Sequence, residues 1–280
     1  MQNSCTFAVQ FVIMRSRAFL ILSVCLLLTG CGDYQKLLKS TDPELKYTKA
    51  MEYFNAGEFV RAQTLFDDIA PYYKGTERSE EILHYLARCY MGQKDYTDAA
   101  EYYKAYIRNY PKGNFIVEAR YMVGHCCYLD SPDARLDQTL TNQAIEYLNQ
   151  FIDLYPESDY VSDALREVDE MYNKLAHKEY LSAKLYYNLG TYLGNNYLSC
   201  IITAQNALKK YPGNKDQEEL NWLILQAKYQ ELLNSVEELE EERLRDAIDE
   251  CYSFMTEYPN SKHSRAAERI NADLKKRTKR

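Results

Sequence analysis

Four of the seven prolines in this 280-residue chain directly follow a tyrosine, and this repetition constrains the fold more than any other feature. The dipeptides are Tyr110-Pro111, Tyr155-Pro156, Tyr211-Pro212 and Tyr258-Pro259, at intervals of 45, 56 and 47 residues. Twelve residues before each proline stands a small residue, namely Ala99, Ala144, Cys200 or Ala247. Self-similarity at such a period is typical of solenoids, in which each unit packs only against its neighbours.

The spacing predicts two antiparallel helices in each unit. A small residue early in the second helix lets the first helix approach closely, and proline ends the helix because it has no N–H to donate. This is the pattern of the tetratricopeptide repeat, which the second unit follows without a gap at Leu86, Ala87, Tyr90, Tyr96, Ala99, Tyr103 and Pro111. We therefore predict an all-α, tetratricopeptide-type solenoid of about five helix-turn-helix repeats, closed by a C-terminal capping helix.

Three segments depart from the basic unit. Residues 129–143 predict a polar loop around Pro132 in the third repeat, and residues 237–246 predict a charged insert in the fifth. The carboxylate-rich stretch 237–250 is typical of a solvated helix face rather than a catalytic site. Ser261 is placed to cap the final helix, SRAAERINADLKKR.

The beginning of the chain predicts a signal peptide. Arg15 and Arg17 precede an apolar run of eleven residues, 18–28, whereas a helix that spans a bilayer needs about 20. We assign residues 1–30 to the signal peptide, with Met14 as its more natural start.

The residues around Cys31 resemble the lipobox of bacterial lipoproteins. Leu28, Thr29 and Gly30 provide an aliphatic residue and two small ones before the cysteine. The resemblance implies that Cys31 carries palmitate-type acyl chains, which together anchor a protein effectively permanently. Residues 31–43 would then form the tether, and Gly32 in place of Asp is compatible with the periplasmic face of the outer membrane.

Composition and motifs exclude several functions. A formal charge of −7 offers no basic face for nucleic acid. The four histidines form neither an HExxH motif nor a pair at i and i+4, and no phosphate-binding glycine loop is present. We predict no metal, no cofactor and no enzymatic activity. The five cysteines after Cys31 are expected to be buried free thiols: Cys89, Cys126, Cys127, Cys200 and Cys251.

In tetratricopeptide stacks the first helices of the repeats line the concave face. Carrying the inward-facing positions of that family onto the first three repeats selects Tyr47, Met51, Phe54, Asn55, His84, Arg88, Met91, Tyr121, His125 and Tyr128. Aromatic rings with an arginine suit an extended peptide that bears aromatic side chains and a carboxylate end. The alternative is that several of these rings pack between repeats instead.

The chain as a whole resembles the BamD family of outer-membrane lipoproteins. The resemblance rests on the lipobox, on the repeats with Tyr155-Pro156-Glu157-Ser158 and Tyr258-Pro259-Asn260-Ser261, and on the long arm from Tyr160 to Tyr187. That arm matches the family pattern at Leu175, Ala176, Glu179, Ala183 and Tyr186. Glu167 departs from it, because some relatives carry a basic residue there.

The resemblance implies a non-enzymatic scaffold of the β-barrel assembly machine. Repeats 1–3, residues 44–157, would receive unfolded outer-membrane protein precursors. Repeats 4 and 5 with the capping helix, residues 158–280, would dock the Omp85-type barrel subunit through an arm that includes Arg166, Leu175, Glu179 and Tyr186.

A second interpretation is a tetratricopeptide lipoprotein of cell-envelope maintenance, in Tol-Pal or peptidoglycan coordination, or of nutrient capture. Coordinator proteins usually begin with a coiled-coil segment, which residues 33–52 lack. An enzyme with an appended repeat array would need a catalytic domain, and the repeats leave no residues to form one.

Overall fold

The computed structural model describes residues 33–279, and this part of the chain is helical without a strand. Residues 33–38 are helical, and eleven helices follow within it: α1 (Pro43–Asn55), α2 (Phe59–Ile69), α3 (Glu77–Gly92), α4 (Tyr96–Asn109), α5 (Ile116–Leu129), α6 (Thr139–Leu154), α7 (Val161–Leu189), α8 (Asn196–Lys210), α9 (Gln217–Leu233), α10 (Glu237–Glu257) and α11 (Ser264–Arg277). Helices α1 to α10 pair consecutively as five hairpins, and α11 packs against α10. The predicted all-α, tetratricopeptide-type solenoid with its capping helix is confirmed. The predicted signal peptide and Cys31 lie outside the described residues.

Each Tyr-Pro dipeptide marks the end of the second helix of a repeat. The four tyrosines leave the helical region, with φ of −130°, −135°, −127° and −121° in chain order, because a following proline disfavours the α conformation. Each tyrosine N–H still donates to the carbonyl four residues earlier. The residues that accept are all buried: Tyr106, Phe151, Ala207 and Phe254.

Close approach of the paired helices explains the small residues. The four small residues twelve positions before the Tyr-Pro prolines are all 0% exposed. Gly124 of α5 shows the same constraint, since a Cβ atom there would lie 2.7 Å from Cγ of Leu148 in α6. These contacts leave no room for a larger side chain on the facing surfaces.

The described residues form two compact units, and the first, with α1 to α4, ends at Gly113. Asp42 is the N-cap of the first helix of this unit, since its carboxylate accepts hydrogen bonds from the backbone N–H groups of Glu44 and Leu45 at 3.0 and 3.1 Å. Pro43 takes the first helical position, where the missing N–H costs nothing. Its core includes Ala50, Ala62, Leu65, Phe66, Ile69, Ile82 and Leu86.

The second unit begins at Asn114 and contains α5 to α11. Its longest helix is α7, with 29 residues, which packs against α6, α8 and α9. The buried stripe of α7 consists of Ala164, Glu167, Val168, Met171, Leu175, Ala176 and Ala183. The predicted division of the repeats after residue 157 stays a prediction.

Two local predictions need correction. The polar loop of the third repeat is shorter than predicted, because α6 already begins at Thr139; buried Thr141 satisfies its hydroxyl by bonding Gln138 Oε1 at 2.7 Å. The charged insert is the exposed first part of α10, in agreement with the solvated helix face predicted for residues 237–250. Ser261 is not the cap of α11: His263 holds that position, and Ser261 Oγ accepts its N–H at 2.9 Å.

No helix among residues 33–279 combines the length and the apolar character that a membrane crossing needs.

Candidate functional site

The ten predicted groove residues lie on α1, α3 and α5, seven in the first unit and three in the second. In the first unit, Phe54, Tyr85 and Arg88 form what we call the aromatic–arginine cluster. The Arg88 guanidinium lies 5.0 Å from the ring centre of Phe54 and 5.9 Å from that of Tyr85. The two rings meet edge to face at 5.0 Å. Each such contact contributes roughly 0.5–1 kcal/mol, which orients an otherwise mobile side chain.

Arg88 is exposed and makes no ion pair within residues 33–279. Its planar N–H groups can therefore donate to both oxygens of a carboxylate in the two-pronged geometry that arginine favours. Beside it, Met51 and Met91 are half-buried and Asn55 is exposed. This part of the predicted groove presents rings, thioether side chains and an uncompensated positive charge.

Tyr47 of the predicted groove bonds to a neighbouring carboxylate and packs against an arginine. Its hydroxyl donates to Glu81 at 2.8 Å, and the Arg78 guanidinium lies 4.5 Å from its ring centre. Arg78 in turn pairs with Glu44. Burial, followed by the bond to Glu81, raises the pKa of Tyr47. The half-buried ring of Tyr47 packs beside Arg78.

His84 lies in the interior of the first unit, with 1% of its surface exposed. Its ring contacts those of Tyr85, Tyr103 and Tyr106 at centroid distances of 5.7, 6.4 and 6.2 Å. Burial, with a smaller effect of the charge on Arg88, lowers the pKa of His84 to about 4, so the ring is neutral at pH 7. The structure thus places His84 in the core, below the exposed cluster.

In the second unit, Tyr121, His125 and Tyr128 form a ladder along α5. The His125 ring stacks on Tyr121 at 5.3 Å and on Tyr128 at 6.0 Å. All three bond to carboxylates of α7: the Tyr121 hydroxyl donates to Glu167 at 2.9 Å and the Tyr128 hydroxyl to Glu170 at 2.6 Å, while His125 Nδ1 lies 2.9 Å from Glu167. They join α5 to α7, as the packing alternative for the predicted groove expects.

Glu167 is the centre of this network and is fully buried. Nη2 of Arg166 lies 3.6 Å from its Oε1 atom, and Arg166 also bonds to Asp163 and Glu170 at 3.2 and 3.1 Å. Burial, together with the neighbouring Glu167 charge, raises the pKa of Tyr121. The bond from Tyr128 lowers the pKa of Glu170. The two side chains of α5 bond only to the Oε1 atom of the Glu167 carboxylate, whereas its buried Oε2 atom has no hydrogen-bond partner among residues 33–279.

The four residues of the predicted docking arm differ in exposure along α7. Leu175 is buried in a core cluster with Met171 and Ala176, and Glu179 is half-buried. Arg166 is exposed, and Tyr186 is 37% exposed. Tyr186 stands beside two exposed leucines, Leu185 and Leu189, which are 58% and 38% exposed. The carboxyl end of α7 therefore presents an apolar surface, whereas Leu175 packs in the interior at the middle of the helix.

Among residues 33–279, no group of three or more His, Cys, Asp or Glu side chains is arranged to hold a metal ion. The five cysteines of this region are free and buried, as predicted. Burial raises the pKa of the Cys89 and Cys200 thiols to about 12, so both are unreactive at neutral pH.

Sequence reasoning missed the roles of Tyr85, Glu167 and Glu170. The signal for the two carboxylates was present, since their spacing of three residues on α7 matches that of His125 and Tyr128 on α5. Using it requires the register between two helices about 40 residues apart, which periodicity alone does not supply.

Comparison with known proteins finds relatives of this chain. A candidate outer membrane protein assembly factor BamD from Aquifex aeolicus is 25% identical over 260 residues, or 90% of this chain and 82% of that protein. The outer membrane protein assembly factor BamD of Caulobacter vibrioides is 28% identical over 168 residues, or 58% of this chain and 54% of that protein. A TPR repeats protein from Bacteroides fragilis has a TM-score of 0.42 at 13% identity, covering 84% of this chain and 99% of that one.

The YfiO family, described as outer membrane lipoprotein, matches residues 39–194, which is more than half of the chain. The match includes the aromatic–arginine cluster, the α5–α7 network and all four residues of the predicted docking arm. The chain therefore belongs to the BamD-type YfiO family.

Proposed function

We propose that this protein is a non-enzymatic scaffold for outer membrane protein assembly, anchored by lipid at Cys31 on the periplasmic face of the outer membrane. Membership of the YfiO family and the names of the two BamD relatives support the assembly role. The observation that carries the proposal is the exposed Arg88 guanidinium, which is oriented by two rings and makes no ion pair with the described residues.

The first unit would receive the carboxyl-terminal strand of an unfolded barrel precursor. A terminal aromatic residue can pack on Phe54 and Met91, and the terminal carboxylate can then pair with Arg88. Such a charge-assisted, two-pronged hydrogen bond is about twice as strong as a neutral one. The methionines permit side chains of different shape, which suits a receptor for many clients.

The second unit would dock the Omp85-type barrel subunit. Exposed Arg166, which is paired with Asp163 and Glu170, offers a polar contact, while Leu185, Tyr186 and Leu189 offer an apolar surface at the other end of α7. An exposed aromatic residue with leucines beside it has the composition of an interface core, whereas isolated exposed leucines are common on any surface. The length of α7 separates the two features by roughly 30 Å, at 1.5 Å per residue, so a partner domain would have to lie along the helix.

Affinity purification of the full-length protein from detergent-extracted membranes tests the proposal. We expect an Omp85-type subunit to co-purify, and its yield to fall when Tyr186 and Leu189 are both replaced by serine. Val60→Ser with Tyr72→Ser is the matched control, because these residues are 62% and 67% exposed and lie in the first unit, away from the docking arm. Recovery of peptidoglycan enzymes or Tol-Pal proteins instead would favour the envelope-maintenance alternative.

A further inference from the structure

Residues 33–38 follow Cys31 after a single intervening residue, Gly32, and they pack against the first repeat. We infer that the lipid on Cys31 acts as a short leash, which holds the first repeat and its aromatic–arginine cluster against the surface of the lipid bilayer. This inference rests on the lipidation proposed above and adds where the client-binding surface is held.

The docked segment begins with an aromatic clamp. The Tyr34 ring meets that of Tyr53 edge to face at 5.6 Å, and the Arg61 guanidinium lies 5.3 Å from the centre of Tyr34 and 5.6 Å from that of Tyr53. Leu37 and Leu38 pack with Tyr34 against the core of the first unit. Three apolar contacts and a cation over two rings exceed what a freely moving tether would make.

The carboxyl end of the segment is fixed by Lys46 of α1. This lysine side chain is only 8% exposed; its ammonium donates to the carbonyl of Leu38 at 3.0 Å and pairs with Asp68. Undocking the segment would take the Leu38 carbonyl away from a nearly buried charge, which costs free energy. The segment is thus held at both ends.

Only Cys31 and Gly32 then remain between the lipid and folded protein. Two residues span at most about 7 Å, even when fully extended. Tyr53, which holds the segment, is followed in α1 by Phe54, whose ring contacts Arg88. The predicted carboxylate receptor therefore starts one residue along α1 from Tyr53, the residue that contacts the anchored segment, so that a client strand is bound close to the bilayer that it must enter.

Energy transfer from the protein to the membrane surface tests the leash. Full-length acylated protein is reconstituted in vesicles with acceptor-labelled headgroups, and the donor dye is attached at Val60→Cys, a 62% exposed position next to Arg61. The five thiols among residues 33–279 are buried and stay unlabelled. One variant has twelve Gly and Ser residues inserted between Gly32 and Asp33, which adds about 20 Å of reach.

A second variant frees the segment by Tyr34→Ala, Leu37→Ala and Leu38→Ala. Its matched control is Gln35→Ala with Lys36→Ala, two exposed positions of the same segment. We expect strong transfer in the parent and the control, and a severalfold decrease in both other variants. Equal transfer in the parent and the insertion variant would overturn the leash, even where the triple variant fails to fold.

Mass spectrometry of the same preparations separates this inference from the function on which it rests. If the protein is acylated but the insertion leaves the energy transfer unchanged, only the leash is overturned. A mature chain without acyl groups on Cys31 would overturn the anchor, and the leash with it.

Discussion

The Oε1 atom of Glu167 lies 2.9 Å from Nδ1 of His125 and 2.9 Å from the hydroxyl of Tyr121. Glu167 is fully buried, whereas His125 is 23% exposed, so the network runs from the interior of the second unit to its surface. The two partners on α5 hold one oxygen of the Glu167 carboxylate in place. The carboxylate fixes the register between α5 and α7.

Removing that carboxylate should destabilise the protein. Glu167→Ala leaves the hydroxyl of buried Tyr121 and the ring of partly exposed His125 without their acceptor, which costs about 2–3 kcal/mol in the free energy of unfolding. Asp163→Ala is the control, because Asp163 is 55% exposed and pairs with the same Arg166, so its loss should cost less than about 1 kcal/mol. Urea unfolding followed by circular dichroism measures both, and equal midpoints would contradict the role of Glu167.

Arg88 should govern peptide affinity through the terminal carboxylate. Arg88→Ala is expected to weaken binding of a peptide with an aromatic carboxyl terminus by about tenfold, which corresponds to about 1.4 kcal/mol for one charge-assisted contact. Arg88→Lys should lose part of this, because an ammonium cannot bond in two-pronged geometry. Fluorescence anisotropy with a labelled peptide is the measurement, and Arg108→Ala, at an exposed arginine of α4, controls for net charge.

An amidated peptide makes this test specific. If Arg88 pairs with the carboxylate, amidation should weaken binding to the parent protein but not to Arg88→Ala, because both changes remove the same contact. Additive losses would place the carboxylate elsewhere.

The hairpins could be predicted because their signals are local. Proline shifts the preceding tyrosine out of the helix wherever the dipeptide occurs, and a small residue such as Ala99 is required wherever two helices touch. Whether a side chain faces the core or the solvent depends on contacts with residues far away in the sequence. His84 and Arg88 share one helix and were assigned to one surface, yet the first is buried and the second exposed, since the packing of Tyr103 and Tyr106 decides which side of α3 is covered. Similarly, Glu167 could be judged only once its partners on α5 were known.

Buried His84 should make stability depend on pH. Its pKa is lowered by burial from 6.5 to about 4, so the unfolded chain binds a proton that the folded chain refuses. The contribution is fully present above pH 6.5 and is lost as the pH falls toward 4, with a total of about 3 kcal/mol. Urea midpoints of the parent and His84→Leu between pH 7.5 and about 4 measure it. The variant should lose less stability over this interval, and parallel curves would show that His84 is not responsible.

Gly124→Ala tests the close approach of α5 and α6, because the sign of the change in stability depends on that approach. In a helix without close neighbours, this change stabilises by about 1 kcal/mol, because alanine has the higher helix propensity. Here the new methyl group would lie 2.7 Å from Cγ of Leu148 and 3.1 Å from its backbone nitrogen, and only the side chain can move aside. Overpacking of this kind typically costs about 1–3 kcal/mol, so we expect net destabilisation in urea unfolding. Leu148→Ala removes the clashing atoms, and in that background Gly124→Ala should cost less or become favourable. Stabilisation of the single variant would mean that α5 and α6 do not approach as described, because only their contact opposes the intrinsic preference for alanine.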